Sequence, residues 1–189
     1  QNESRIIRFF ARADLNFSDT YFLQLTATRE GSSTFGENNK WGFFPGISGG
    51  VNLTNLFDVN NVDNLKLRAG FGRNGNLPPG PYLSQFLFAE RGNFFFNGGF
   101  VPALGPDRNA NPNLRWELKD EFNVGLDFSF FNFKLNGSID YYTRTTRDLI
   151  FNVQVPVPPN QAPNTFANLD DVVLRNSGLE FQIGYTVES

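Results

Sequence analysis

The 189-residue sequence contains no cysteine, no histidine and no methionine. Without cysteine and histidine there is no disulfide framework, no Ser-His-Asp or Cys-His chemistry, and no zinc site built from those ligands. Carboxylates are present, but no spacing selects a pair suited to glycoside chemistry, so we expect no enzyme. The missing methionine, even at position 1, predicts a processed product or an internal segment of a longer protein.

Long apolar runs and blocks of like charge are missing as well. The sequence has no stretch of about 18 apolar residues, so no membrane helix is expected. The 16 basic and 19 acidic residues nearly balance and form no basic run, so nucleic acid is not an expected partner. Phenylalanine is abundant, with 23 residues, although mean hydropathy is only −0.33. This combination is typical of a barrel with aromatic girdles and a wet lumen, and also of an aromatic-rich soluble β-sandwich.

Residues 114–143 alternate between apolar and polar side chains with a period of two. The apolar residues occupy even positions as far as Phe130 and odd positions after a tight turn near Phe131 and Asn132. A period of two indicates strands with one apolar and one wet face. Each arm is longer than ten residues, whereas a tilted strand needs roughly 9–11 residues to cross a bilayer. The segment therefore predicts a transmembrane β-hairpin.

The same alternation predicts seven strands in the whole chain. Besides the two arms of the 114–143 hairpin, they span about 5–17, 20–30, 42–53, 64–73 and 172–187. Pro45 is expected to mark a strand start or a bulge, since proline cannot donate to a sheet ladder. Long external loops are expected at about 31–41, 74–113 and 145–171, the second of them structureless, with short connections near 18, 58 and 131. This alternation of loop lengths favours an all-β, antiparallel transmembrane β-barrel.

Four segments together resemble one family in the right order along the chain. They are FGENNKWGFFPGISGGVNLTN at 35–55, NLKLRAGFGRNGN at 64–76, NPNLRWELKDEFNVGLDFSFFNFKLNGSIDYYTRTTRDLI at 111–150, and RNSGLEFQIGY at 175–185. The family is the SusC/RagA type of TonB-dependent outer-membrane transporters. Gly46, Val51 and Ser177 depart from residues that are common in its motifs, without affecting the fold that the resemblance implies.

The resemblance implies a much larger molecule than these 189 residues. Transporters of this kind have about 22 strands and a plugged lumen. Seven strands would leave two open edges, which lipid does not tolerate. We therefore interpret residues 1–189 as a partial β-barrel domain, with the plug domain and the remaining strands absent. Its first expected partners are those strands and that plug, together with outer-membrane lipid.

The function implied by the resemblance is active transport across the bacterial outer membrane. The transporter would import oligosaccharides or peptides, powered by the TonB complex and assisted by a SusD-type surface lipoprotein. Two alternatives stay open from the residues alone. One is a soluble β-sandwich that binds carbohydrate, and the other is a passive porin or adhesin barrel.

A phenylalanine-rich segment within the second long loop is the first candidate site. Its residues are Arg91, Phe94, Phe95, Phe96 and Asn97. Three consecutive exposed aromatic side chains suit a docking surface for a partner lipoprotein or an apolar ligand. Packing of one loop on another to build a lid is the favoured interpretation, with the docking surface as the alternative.

Charged side chains on the predicted wet face form the second candidate site. Lys66, Arg68, Asp127, Asp140 and Glu180 are expected to point into the lumen. They would line a substrate route, or they would form paired networks that hold the plug.

A spacing similar to the start of a calcium loop is the third candidate. Asp107, Asn109 and Asn111 supply side-chain oxygens at alternate positions. However, Pro112 stands where the calcium loop has glycine, and Leu118 stands where it has glutamate. A polar turn that positions Trp116 is therefore the favoured interpretation, with structural Ca²⁺ as the only cofactor considered.

Overall fold

The computed structural model describes residues 3–57, 61–78 and 80–187. Eleven strands are present in this part of the chain: β1 Ile6–Phe17, β2 Tyr21–Ser32, β3 Trp41–Asn52, β4 Val62–Asn76, β5 Leu87–Phe96, β6 Gly99–Arg108, β7 Glu117–Phe130, β8 Leu135–Arg147, β9 Leu149–Gln154, β10 Asn164–Leu169 and β11 Leu174–Tyr185. Two short 3₁₀ helices, Glu37–Asn39 and Leu53–Asn55, lie between strands. None of the described helices is long and apolar enough to cross a membrane.

Seven strands form one antiparallel sheet in the order β1-β2-β3-β4-β7-β8-β11. They correspond to the seven strands predicted from the alternation, so the prediction of an all-β antiparallel fold is confirmed. Strands β1 and β11 are the edges of this sheet. The described parts of the loops at 33–40, 77–78, 80–116 and 148–173 lie at one end of the sheet, called here the loop end. The described parts of the connections at 18–20, 53–57, 61 and 131–134 lie at the opposite end, called here the turn end.

The second long loop is not structureless, so that expectation was wrong, and the third long loop also contains paired strands. Strands β5 and β6 pair as a hairpin within 77–116, and β9 and β10 pair within 148–173. Asn97 and Gly98 close the first hairpin with φ angles of 48° and 84°. Two consecutive positive φ angles are what a type I′ hairpin turn requires, and Asn-Gly is its preferred dipeptide. The hairpin therefore forms because its turn residues match the right-handed twist of the flanking strands.

Register sorts the side chains of the seven-stranded sheet onto two faces. One row on the apolar face runs across the whole sheet through Phe17, Tyr21, Val51, Leu67, Leu126, Ile139 and Phe181. A row on the polar face runs through Asn16, Phe22, Gly50, Arg68, Gly125, Asp140 and Glu180. None of the apolar row belongs to the buried core. The apolar face is thus open along its full width.

Strand β3 continues through Pro45, so the expected strand start or bulge at this residue was wrong. Pro45 pairs with Ala27 of β2. On its other side, the pairing of β3 with β4 ends at Gly46 opposite Gly72. Proline has no N–H to give to a ladder. It is tolerated here because it lies just beyond the last pair between these two strands.

The buried core lies at the loop end and not between two sheets. It consists of Phe35, Phe44, Leu83, Leu114 and Trp116. The Trp116 ring lies 4.4 Å from that of Phe35 and 5.3 Å from that of Phe44, measured between centroids. This aromatic cluster joins the loop at 33–40, strand β3 and the segment before β7. A soluble sandwich would instead bury the apolar face of its sheet, so that alternative does not describe the fold.

Candidate functional site

Arg68 on β4 connects two carboxylates on the two strands that follow it in the sheet. Its Nε donates to Asp127 at 3.0 Å, and its Nη2 donates to the Asp140 carboxylate at 2.8 Å. Its Nη1 also reaches Asn123 Oδ1 at 3.4 Å. Asp140 is buried, whereas Arg68 and Asp127 are partly exposed. Three of the five predicted lumen-facing residues thus form one cluster, called here the arginine–aspartate cluster.

Gly125 makes this cluster possible, although the sequence alternation alone does not reveal its role. Register places it between Arg68 and Asp140. A Cβ at this position would overlap the Asp140 carboxylate and lie 2.6 Å from Arg68 Cζ. The guanidinium therefore crosses β7 directly above a residue without a side chain. An isolated glycine within an alternating strand is a signal for such a close approach.

The other two predicted residues lie on the same face but outside the cluster. Lys66 is opposite Asp127 in the register, and its Nζ lies 4.3 Å from the centroid of the Phe22 ring. Such a distance allows a cation–π contact. Glu180 is opposite Asp140 on the edge strand β11 and is exposed. The five residues therefore lie on one face of the described sheet. That they point into a lumen is still a prediction.

A shallow groove lies beside the arginine–aspartate cluster. Its larger part has a volume of about 490 Å³, with a floor of small residues that includes Ser48, Gly50 and Gly70. A second part of about 360 Å³ shares Gln24, Ser48, Gly70 and Asn123 with the first. The side chains along its walls offer both donors and acceptors, because carboxylates, amides and cations all contribute. Hydroxyl or peptide groups would find hydrogen-bond partners on this surface.

The candidate calcium residues have protein partners of their own. Asp107 pairs with Arg91 at 2.8 Å, and Asn111 Nδ2 donates to Phe166 O at 2.8 Å. Asn109 Nδ2 donates to Ala162 O at 2.6 Å, and its Oδ1 accepts from Ala162 N. No group of three or more acidic residues that could hold a metal ion is found in the described ranges. These contacts fit the polar turn, and the calcium site stays an untested prediction.

Arg115 is a second connecting residue that the sequence pattern did not reveal. Its Nη2 donates to Asp148 at 2.6 Å and also bonds the Asp170 carboxylate. These hydrogen bonds raise the pKa of Arg115 above its ordinary value. Its backbone N–H donates to Asn168 Oδ1 at 2.9 Å. Arg115 thereby attaches the β9–β10 hairpin to the segment that leads into β7.

The phenylalanine-rich candidate residues lie on the β5–β6 hairpin and its turn. Phe94, Phe95, Phe96 and Phe100 are at least half exposed. The Phe95 and Phe100 rings meet edge to face at 5.4 Å across the hairpin. Arg91 joins the two strands through its ion pair with Asp107, and Asn97 forms the turn. The aromatic rings are therefore presented at the surface of the described structure.

A family model described as "TonB dependent receptor-like, beta-barrel" matches residues 1–187. The chain belongs to this family. Among curated relatives, TonB-dependent receptor SusC of Bacteroides thetaiotaomicron is 34% identical over 185 residues, covering 94% of this chain and 18% of SusC. TonB-dependent receptor P3 of Formosa agariphila is also 34% identical, over 190 residues, covering 96% of this chain and 18% of P3.

Solved structures of a peptide importer and of a siderophore receptor superpose on nearly the whole of this chain. The RagAB peptide importer in its open-open state superposes with a TM-score of 0.86 at 26% identity, covering 98% of this chain and 20% of the matched chain. The siderophore receptor PirA of Pseudomonas aeruginosa gives a TM-score of 0.60 at 15% identity over 94% of this chain and 30% of its own, which shows a likeness of fold. The resemblance to the SusC/RagA type is confirmed.

The chain spans about a fifth of the length of the curated relatives that it matches. This partial length explains why the seven-stranded sheet has two free edges. The sheet is one part of a β-barrel. Proteins of this family are receptors and transporters, and nutrient transport is the function class that the family supports.

Proposed function

We propose that this chain forms part of the wall of an outer-membrane barrel that actively imports oligosaccharides or peptides. The observation that carries the proposal is the open apolar face of the sheet in a member of the TonB-dependent receptor family. In the complete barrel this face contacts lipid, while the polar face lines the lumen. Residues 122–130 of β7 alternate between the two faces, and their apolar side carries no charge. The length of this segment suits a tilted crossing of the bilayer.

The arginine–aspartate cluster and its groove lie on the face that lines the wet lumen, so they take part in transport. The groove offers donors and acceptors of the kind that both sugar hydroxyls and peptide groups use. Either it contacts the substrate, or it holds the plug through paired charges. RagAB is a peptide importer, which supports peptides as one substrate class. Similar folds carry different cargo by varying loops, so the proposal retains both classes.

Two further partners belong to the proposal. Movement of the plug is powered by the TonB complex, which the family membership supports. A SusD-type lipoprotein covers the loop end, which the likeness to SusC and RagAB supports. The exposed aromatic residues of the β5–β6 hairpin are the surface that this lipoprotein or an apolar ligand would contact.

Uptake by cells tests the proposal directly. A Gram-negative host carrying the complete transporter and its lipoprotein is given fluorescent oligosaccharides and fluorescent peptides in parallel. We expect one class to enter the cells, with uptake falling to background when the transporter gene or the TonB gene is deleted. Uptake that persists without TonB would show a passive pore. Uptake that persists without the transporter would contradict the proposed function.

The aromatic surface is tested in the same assay with paired substitutions. Phe95→Ser with Phe96→Ser should lower uptake, because these side chains are 65% and 66% exposed on the hairpin at the loop end. Phe131→Ser with Phe133→Ser is the control, since these residues are 60% and 61% exposed at the turn end. Equal uptake by the two double variants would argue against a role for the hairpin. Both variants are first checked for normal amounts of transporter in the outer membrane.

A further inference from the structure

At the paired positions of the described sheet, the apolar face carries charged side chains only near its loop end. At the paired positions of this face in the seven described strands, the charged residues are Arg29, Arg73, Asp120, Arg147 and Arg175. All of them lie beyond the row of Leu25, Phe71 and Phe122, on the side of the long loops. Four arginines thus face one aspartate, and the positive charge is in excess. We call these four residues the arginine belt.

The single carboxylate of this region is already shared. Asp120 accepts from Arg73 Nε at 2.6 Å and lies 3.4 Å from Arg147 Nη1. Its side chain is largely covered, whereas the Arg147 side chain is about half exposed. One carboxylate cannot neutralise two guanidinium groups. The excess positive charge is therefore directed outward from the sheet at this point.

Arg175 adds to this excess from the neighbouring strand. It is opposite Thr145 in the register, and Thr145 is opposite Asp120. Arg147 is its diagonal neighbour on β8, at a separation of about 7–8 Å between such positions. Arg175 is exposed and makes no ion pair with any residue that the structure describes. A group bound between Arg147 and Arg175 would meet two guanidinium groups with one carboxylate beside them.

The height of the belt on the sheet indicates what it meets. On β7 the apolar side from Phe122 to Phe130 covers about 27 Å at roughly 3.4 Å per residue, close to the thickness of the apolar band of such barrels once tilt is included. Asp120 and its partner Arg73 lie one row beyond that band. Arginine is costly at the middle of a bilayer but tolerated near the interface. The belt therefore lies at the level of lipid headgroups.

Arg29 supports this level from the other side of the sheet. Its guanidinium carbon lies 5.3 Å from the centroid of the Trp41 ring, and Trp41 stacks with Phe9 at 6.1 Å. Tryptophan is enriched at membrane interfaces, where its ring bridges apolar and polar surroundings. Arg29 thus lies beside an aromatic residue of the kind that is enriched at the membrane interface.

We propose that the arginine belt binds the phosphorylated headgroup of a membrane lipid in the outer leaflet. The planar guanidinium fork matches phosphate oxygens and pairs with them through two parallel hydrogen bonds. The long loops of outer-membrane barrels are external, which assigns the belt to the outer leaflet. The inference rests on the proposed function, because it requires the apolar face to contact lipid.

A fluorophore placed beside the belt reports which lipid is bound. Thr143 lies on the apolar face between Phe122 and Ser177 in the register, two residues from Thr145. Thr143→Cys is labelled in the complete transporter after any other cysteines have been replaced. The protein is then placed in phosphatidylcholine bilayers that contain either spin-labelled phosphatidylcholine or spin-labelled phosphatidic acid. We expect spin-labelled phosphatidic acid to quench about fivefold more effectively than spin-labelled phosphatidylcholine. This factor corresponds to about 1 kcal/mol, the attraction of roughly one surface arginine for an anionic lipid.

Charge substitutions on opposite faces provide the test and its control. Arg147→Gln with Arg175→Gln should bring the two lipids to equal quenching. Lys119→Gln with Arg144→Gln removes the same charge from the polar face and should retain the preference. Added inorganic phosphate should leave the preference unchanged, and its loss would overturn the proposal in favour of a site for free anions. Equal quenching in the parent protein would overturn the lipid site alone, whereas no quenching by either lipid would overturn the membrane wall as well.

Discussion

Replacing Leu126 by arginine should destabilise the assembled barrel by about 2–4 kcal/mol, the cost of a cation at the bilayer midplane of such proteins. Leu126 lies on the apolar face between Leu67 and Ile139, in the middle of the side of β7 that carries no charge from Phe122 to Phe130. The guanidinium cannot reach water from this depth without disturbing its neighbours or the bilayer. Unfolding of the complete transporter by denaturant in lipid vesicles measures the change in free energy.

The matched control inserts the same side chain on the opposite face. Ser138 on β8 is opposite Asp127 on the polar face. Ser138→Arg meets a carboxylate in a wet region, so its effect should stay within about 0.5 kcal/mol. If Leu126→Arg left the free energy of unfolding unchanged, or if Ser138→Arg lowered it more, the assignment of the two faces would be wrong.

Removing the Trp116 side chain should cost about 3–5 kcal/mol in the stability of the loop end, as expected for a large buried aromatic residue. Trp116 is only 4% exposed, and its ring packs on Phe35 and Phe44. Its Nε1 also donates to Lys40 O at 3.3 Å. In Trp116→Ala, the loop at 33–40 should exchange its amide hydrogens faster, while the seven-stranded sheet keeps its protection. Hydrogen exchange followed by mass spectrometry measures both regions at once.

Trp41 offers a control with the same change of side chain. It is 46% exposed on the apolar face, so Trp41→Ala removes contact area without opening a core. We expect the loops of this variant to keep the exchange rates of the parent protein. Similar rates in the two tryptophan variants would contradict the view that the cluster around Trp116 stabilises the loop end.

The seven-stranded sheet could be predicted because its signal is local. In β7 and β8 the side chains alternate over more than ten residues, and the change of phase at Phe131 marks the turn. The strands of the loop hairpins carry a weaker signal. Three consecutive phenylalanines and the prolines at 102 and 106 hide any alternation in β5 and β6. Asn97–Gly98 was the available indication, and it specifies a turn without saying which strands flank it.

The candidate site could be predicted only in part, since its contacts depend on strand order. The alternation of side chains with a period of two assigns Arg68, Asp127 and Asp140 to one face of the sheet. Their pairing also requires β4 to lie next to β7, with the β5–β6 hairpin excluded from the sheet. The contacts of Arg115 are harder still to predict, because its partners Asp148 and Asp170 lie in segments that only the folded loops bring together. Sequence periodicity carries no information about such distant pairs.

A spin-label scan along β7, in the complete transporter within a bilayer, tests whether one face of the sheet contacts lipid and the other water. Single cysteines from 118 to 130 are labelled in turn, and collisions with oxygen, which concentrates in lipid, are compared with collisions with a water-soluble nickel chelate. We expect two profiles with a period of two and opposite phase, with oxygen maxima at even positions from Phe122 to Phe130. Profiles in the same phase, or oxygen maxima at odd positions such as Asp127, would contradict this expectation.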